Sequence, residues 1–261
     1  MSAELQLWAI EFESAGGLSA EHTYVSTNGH NFNCFGRSSG GRLARKANAS
    51  SKWACLVYGH QYEGLDDSGL PTGLSIRYDG VCQNVANRIL VLADDDIDAR
   101  ETKGNAFATL MYGKFGFNGI SQYIQTVKAT GAQLLKDSPG EIDPSHVQVV
   151  LDRITYGQTP DAELEILHAD AQEQEGSSLP PLSDARRAAF RPIYSDYQND
   201  RSAVFASTPK QPGEQIAYGK LRSNLAAPWA KCVDRLITTM GPEQFKMMFG
   251  VGPDTAKLAF A

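Results

Sequence analysis

The amino-acid sequence predicts an α+β protein, and three observations predict it. Short runs rich in β-branched and aromatic residues, separated by turn signals, fill the chain up to Tyr78. The apolar period switches to that of a helix at Cys82. Helical spacing then dominates from residue 101 to residue 261. A core of residues 1–100 with a mainly helical extension over 101–261, packed on it, is the expected organisation.

Each element follows in order. Residues 4–12 (ELQLWAIEF) alternate through Leu5, Leu7, Trp8, Ile10 and Phe12, which spells a strand. His22–Thr27 (HTYVST) is β-branched and aromatic and spells a second. Asn28-Gly29 is a tight hairpin signal, so Asn31–Phe35 is the returning strand. Residues 37–52, rich in Ser, Gly, Arg and Lys, read as an exposed loop. Trp53–Tyr58 and Leu74–Tyr78 read as strands, with a loop between them. From Cys82 to Leu92, Val85, Ala86, Ile89, Leu90 and Leu92 place a broad apolar face on a helix. Further helices are expected over 119–135, 144–155, 160–173, 182–200, 224–239 and 242–249. Pro144 at the start of the second of these suits a first helical turn.

Bulk properties exclude several classes. The 261 residues carry a formal net charge of −6, with 42% hydrophobic residues. An acidic chain lacks the basic face that phosphate backbones require, so nucleic acid is not the expected partner. The four cysteines, Cys34, Cys55, Cys82 and Cys232, make neither a disulfide framework nor a zinc pattern in a chain this long. The N-terminus has no basic region followed by an apolar core, and no stretch approaches 18 apolar residues. The expected place is the cytoplasm, with reduced thiols; export as an effector by a non-classical route would leave the same signals. The acidic run Asp94, Asp95, Asp96 and Asp98 reads as a solvated helix end followed by a loop. No glycine-centred calcium loop accompanies it, and no metal or cofactor is expected.

The candidate chemistry centres on Cys82 in DGVCQNVANRIL. The Asp-Gly turn delivers Cys82 to the first turn of a helix, where unpaired N–H groups and the dipole favour a thiolate. The same N–H groups suit an oxyanion. A thiolate enzyme needs a base, and His22, His30 and His60 are the candidates in the N-terminal part. Asn87 and Arg88 either anchor the loop that carries His22 or face solvent. The glycine-aromatic segment Tyr112-Gly-Lys-Phe115-Gly-Phe117 is suited either to line a substrate cleft or to form a plain turn.

A strand-borne histidine (EHTYV), further strands, and then a helix-starting cysteine (GVC) about 60 residues later resemble the circularly permuted papain-like fold. That group includes permuted NlpC/P60 hydrolases and lecithin:retinol acyltransferase-like enzymes. Ordinary papain-like enzymes place the cysteine before the histidine; in the permuted group the histidine leads, as here. The resemblance covers roughly residues 5–93. It implies an antiparallel sheet with Cys82 as nucleophile and His22 as base. It also implies a polar orienting residue on the neighbouring strand, which is Asn33, with His30 at its mouth. His60 is the alternative base. The activity it implies is a thiol hydrolase or amidase cleaving an amide, peptide or isopeptide-like, through an acyl-enzyme. Acyl transfer to an amine or hydroxyl from the same site is the alternative, and a non-catalytic binding domain is the third. The expected partner is a small-molecule or peptide substrate, with Tyr112, Phe115 and Phe117 against it.

Overall fold

The computed structural model of the chain describes residues 3–13, 19–27, 29–33, 38–50, 53, 74, 79–117, 119–175, 179–208 and 218–260. They divide into two compact units, Met1–Phe12 with Ser19–Thr159, and Glu13–Leu18 with Pro160–Ala261. The class is α+β, as expected.

Four strands make the sheet of the first unit: β1 (Ala3–Glu13), β2 (Ser19–Thr27), β3 (His30–Phe32) and β4 (Arg42–Ala49). Their order is β3-β2-β1-β4, antiparallel throughout. Two-residue periodicity divides the sheet cleanly. Leu5 and Leu7 of β1 and Val25 of β2 are fully buried on one face. On the other, Trp8 stacks on Tyr24 at 6.1 Å and donates its indole N–H to Ser26 Oγ at 3.1 Å. Thr27 pairs with His30 across the turn, where Gly29 takes φ +81° as a two-residue hairpin turn requires.

β4 corrects the loop expected over residues 37–52. Along RLARKANA only Ala47 and Ala49 are buried. Small alanines carry the inward face, and the arginines and lysine of an edge strand face water, so no apolar alternation marks it. Of the strands expected at Trp53–Tyr58 and Leu74–Tyr78, only Trp53 and Leu74 are described residues, both fully buried. The other positions of those two strands lie outside the described residues.

Among the described residues four helices follow in this unit: α1 (Cys82–Leu90), α2 (Asn105–Tyr112), α3 (Ile120–Asp137) and α4 (Pro144–Tyr156). α1 packs on β2. Val85, Ala86 and Ile89 join Leu5, Leu7 and Val25 in one core, completed by Val127 and Ile154 from α3 and α4. Each of the valine, leucine and isoleucine side chains contributes about 1.5–3 kcal/mol of burial. α4 starts where Asp143 accepts the Ser145 N–H at 2.8 Å, with Pro144 in the first turn. α3 and α4 approach closely at Gly131, where a Cβ would lie 2.9 Å from Val147.

The second unit is helical: α5 (Pro160–Glu175), α6 (Asp184–Ser207), α7 (Tyr218–Met240), α8 (Pro242–Phe249) and α9 (Pro253–Lys257), closed by a 3-10 turn at Leu258–Phe260. Leu164, Phe190, Tyr197, Trp229, Leu236 and Phe245 fill its core. Among the described residues, no helix is long and apolar enough to cross a membrane.

Candidate active site at the start of α1

The polar residues of α1 have no solvent to face. Gln83, Asn84, Asn87 and Arg88 are between 0% and 4% exposed, and each is consumed by backbone groups from distant segments. Asn84 Oδ1 accepts the Val81 N–H at 2.8 Å, closing the helix start, while its amide donates to Gly113 O at 2.7 Å. Asn87 donates to Lys114 O at 2.9 Å and accepts the Ala99 N–H at 2.7 Å. Arg88 Nε donates to Phe115 O, and its guanidinium lies 5.0 Å from the centre of the Tyr123 ring. A buried polar group without a partner costs about 1–3 kcal/mol, so a hydrogen-bonded network of this kind holds one geometry against alternatives. It fixes residues 98–99 and 113–115 against the helix start. Asn87 and Arg88 therefore anchor those loops, and neither faces solvent.

Cys82 is the first residue of α1 and 8% exposed. Among the described residues β3 pairs with β2 over Val25–Thr27, and the helix start meets β2 at Glu21. There the Glu21 N–H donates to Lys103 O at 2.9 Å. Glu21 O accepts the Gln83 side-chain amide at 2.8 Å and lies 3.9 Å from Cys82 Sγ. The thiol also donates to Gln83 Oε1 at 3.1 Å. The Glu21 carboxylate, 2% exposed, is held by Arg42 Nη2 at 2.9 Å and the Lys103 N–H at 2.9 Å. The helix start thus brings Cys82 to the strand edge one residue from His22.

Alternation sets His22 on the face of Tyr24 and Ser26, half-exposed, with its Nε2 buried and without a hydrogen-bond partner. The β2–β3 register pairs Val25 with Phe32, which carries Asn33, half-buried, opposite Tyr24. Alternation thus sets His22 and Asn33 on one face, opposite the face of Val25 on which α1 packs. His30 pairs through its backbone with Thr27. His60 lies outside the described residues. Tyr112, the last residue of α2, is 4% exposed and Phe115 is 1% exposed; Phe117 is half-exposed. Phe115 belongs to the core of the first unit, its ring packed where a Cβ on Gly157 would come within 2.6 Å. The 112–117 turn depends on Gly116 at φ +84°, where a Cβ would meet Asp79 O at 2.7 Å.

The acidic run splits in two. Asp94, Asp95 and Asp96 are exposed, as expected, but Asp98 is fully buried. Lys114 Nζ lies 3.3 Å from its Oδ2, and Arg100 donates through Nε at 2.8 Å and Nη2 at 3.0 Å. Burial alone would raise the Asp98 carboxyl; the Lys114 ammonium and then Arg100 outweigh it and hold it down at about 2. A depressed folded-state pKa stabilises the fold above the unfolded value near 3.9 and loses that contribution as pH falls through the folded one. Acid titration of stability should therefore show about 2 kcal/mol lost between pH 4 and pH 2 that Asp98→Asn does not lose. Parallel acid limbs for the two proteins would refute the assignment. Among the described residues, no three His, Cys, Asp or Glu side chains cluster to hold a metal ion.

Gln83, Glu21, Lys103 and the Asp98–Lys114 pair were not legible as site residues. One signal was present: with Val85, Ala86, Ile89 and Leu90 interleaved among Gln83, Asn84, Asn87 and Arg88, a nine-residue helix has no polar face to turn outward. No family model, no curated protein and no solved structure matches the chain.

Proposed function

We propose that this protein is a thiol hydrolase built on a circularly permuted papain-like shell, acting on an amide through an acyl-enzyme at Cys82. The observation that carries the reading is the seat of the sulfur: the first residue of a helix, 3.9 Å from the Glu21 carbonyl on the strand bearing His22. The buried network behind it supports the same reading, because a nucleophile needs a helix start held rigidly.

In this mechanism an imidazole takes the thiol proton, and the thiolate adds to the amide carbonyl. N–H groups of the first turn of α1 hold the oxyanion. The imidazolium then protonates the departing amine, leaving a thioester on Cys82, which water hydrolyses with the imidazole as base. An amine or hydroxyl that reaches the thioester before water makes the same site an acyltransferase. The candidate bases are His22, on the strand whose Glu21 carbonyl meets the sulfur but with its side chain on the opposite face of the sheet, and His60. Asn33, on the face of His22, is the orienting residue. A non-catalytic binding domain is favoured by one observation: the S–H rests on two oxygens and the residue is 8% exposed, which suits a neutral thiol.

Iodoacetamide labelling against pH, read by peptide mapping, decides between them. Cys82 is expected to label with a midpoint below about 7, against about 8.5 for an ordinary thiol. Replacing the acting base, His22→Ala or His60→Ala, should move that midpoint towards 8.5. Cys232, 2% exposed and pushed up to about 12 by burial, is the internal control that stays unlabelled while folded. A Cys82 midpoint at the ordinary value, unmoved by either histidine variant, would establish the binding domain instead.

A further inference from the structure

We propose that the second unit carries a binding site for a small carboxylate with an apolar body, in a pocket lined by α5, α6, α7 and α8. The cavity measures about 100 Å³. That is room for one ring or a short branched chain, well beyond a single water. Its walls are apolar: Leu164, Phe190, Leu236 and Met248, with Met240 nearer the mouth. Such a lining holds water poorly and favours an apolar occupant.

One end is polar and carries a single sign of charge. His168, Arg186 and Gln244 line it, and no aspartate or glutamate does. Along α6 the other arginines facing α5 are neutralised. Arg187 is paired with Glu165 at 2.5 Å and Arg191 with Asp161 at 2.5 Å. Arg186 stands apart. Its Nη1 rests on neutral oxygens, Pro180 O at 3.4 Å and the Gln244 amide oxygen at 3.1 Å, and among the described residues no carboxylate pairs with it. His168 Nε2 lies 3.0 Å from the same Pro180 O, which can only accept, so that nitrogen carries hydrogen. The end of the pocket therefore presents a guanidinium fork whose Nε and Nη2 make no hydrogen bond among the described residues. A planar carboxylate matches that fork, and partial removal from water strengthens the pairing. The limited volume excludes a nucleotide and selects a single-ring or short-chain acid.

The test titrates the full-length chain with 3-phenylpropionate and with 3-phenylpropanol by calorimetry. The acid is expected to bind saturably, and about tenfold or more tightly than the alcohol, which fills the same space without the charge. Arg186→Gln should erase the preference, leaving acid and alcohol within about twofold, while Arg187→Gln should retain it. Thr239→Phe, at an exposed position on the rim, should weaken both probes about tenfold and leave the Arg186 contacts in place. Absence of saturable binding, equal affinities in the unmodified chain, or a preference that survives Arg186→Gln would each overturn the proposal. If Arg186→Gln does not fold, unchanged acid affinity in Thr239→Phe overturns it just as directly.

Discussion

Replacing Arg88 with alanine is expected to lower the stability of the first unit by about 4 kcal/mol, the sum of a core cavity and an orphaned carbonyl. The side chain is fully buried in a helix that packs against β2. Its stem fills core volume, its Nε satisfies Phe115 O, and its guanidinium covers the Tyr123 ring. Tyr123 returns the contact by donating its hydroxyl to the Arg88 carbonyl. With a urea slope of roughly 2 kcal/mol per M, the denaturation midpoint should fall by about 2 M. Amide hydrogen exchange in α1 and β2 should report the loss locally. Arg88→Met is expected to recover about half, because it restores apolar volume but leaves Phe115 O without its donor. Tyr123→Phe should cost about 1 kcal/mol. A midpoint for Arg88→Ala within about 0.5 M of the unmodified protein would show that the network at α1 does not hold the unit together.

In the second unit the comparable substitution is Trp229→Ala, with an expected loss of about 3–5 kcal/mol. Trp229 is fully buried on α7, one position after Pro228. Its ring meets Tyr197 edge-on at 5.3 Å and Phe260 at 5.9 Å, and its indole N–H donates to Ala256 O at 2.7 Å. One side chain thus joins α6, α7, α9 and the terminal turn. Trp229→Phe separates the two contributions. It keeps an aromatic ring against Tyr197 and Phe260 while leaving Ala256 O buried and unpaired, for an expected loss of about 1–3 kcal/mol. Hydrogen exchange in α9 should rise sharply in the alanine variant and modestly in the phenylalanine one. Equal losses in both variants would mean that the hydrogen bond, and not the packing of the ring, dominates.

Much of the architecture was readable in short windows. β1 and β2 announce themselves by alternation, the Asn28-Gly29 turn by its residue types, and α4 by Pro144 after Asp143. α5, α6, α7 and α8 follow from helical spacing, although α7 begins at Tyr218, six residues ahead of the expected Asn224, and the short α9 at Pro253–Lys257 was not expected. β4 was hidden because its inward residues are alanines, whose burial gives little contrast against a loop. Asp98 looked like its neighbours in the acidic run. What distinguishes it, the Lys114 ammonium, lies 16 residues away in a turn whose course no local pattern reveals.

For the candidate site the division is sharper. Local residue types alone place Cys82 at a helix start after the Asp79-Gly80 turn, because that signal spans only a few consecutive residues. That every side of α1 is dry, which strand receives the sulfur, and which groups hold the thiol were decided by tertiary structure. Gln83 reaches Glu21 across 62 positions and Arg88 reaches Phe115 across 27. Hydrogen bonds of that range are selected by the packing of the whole unit, since the conformational cost of closing such loops is met only when the surrounding core forms with them. A polar residue in a helix reads as solvated until a partner from elsewhere in the chain encloses it.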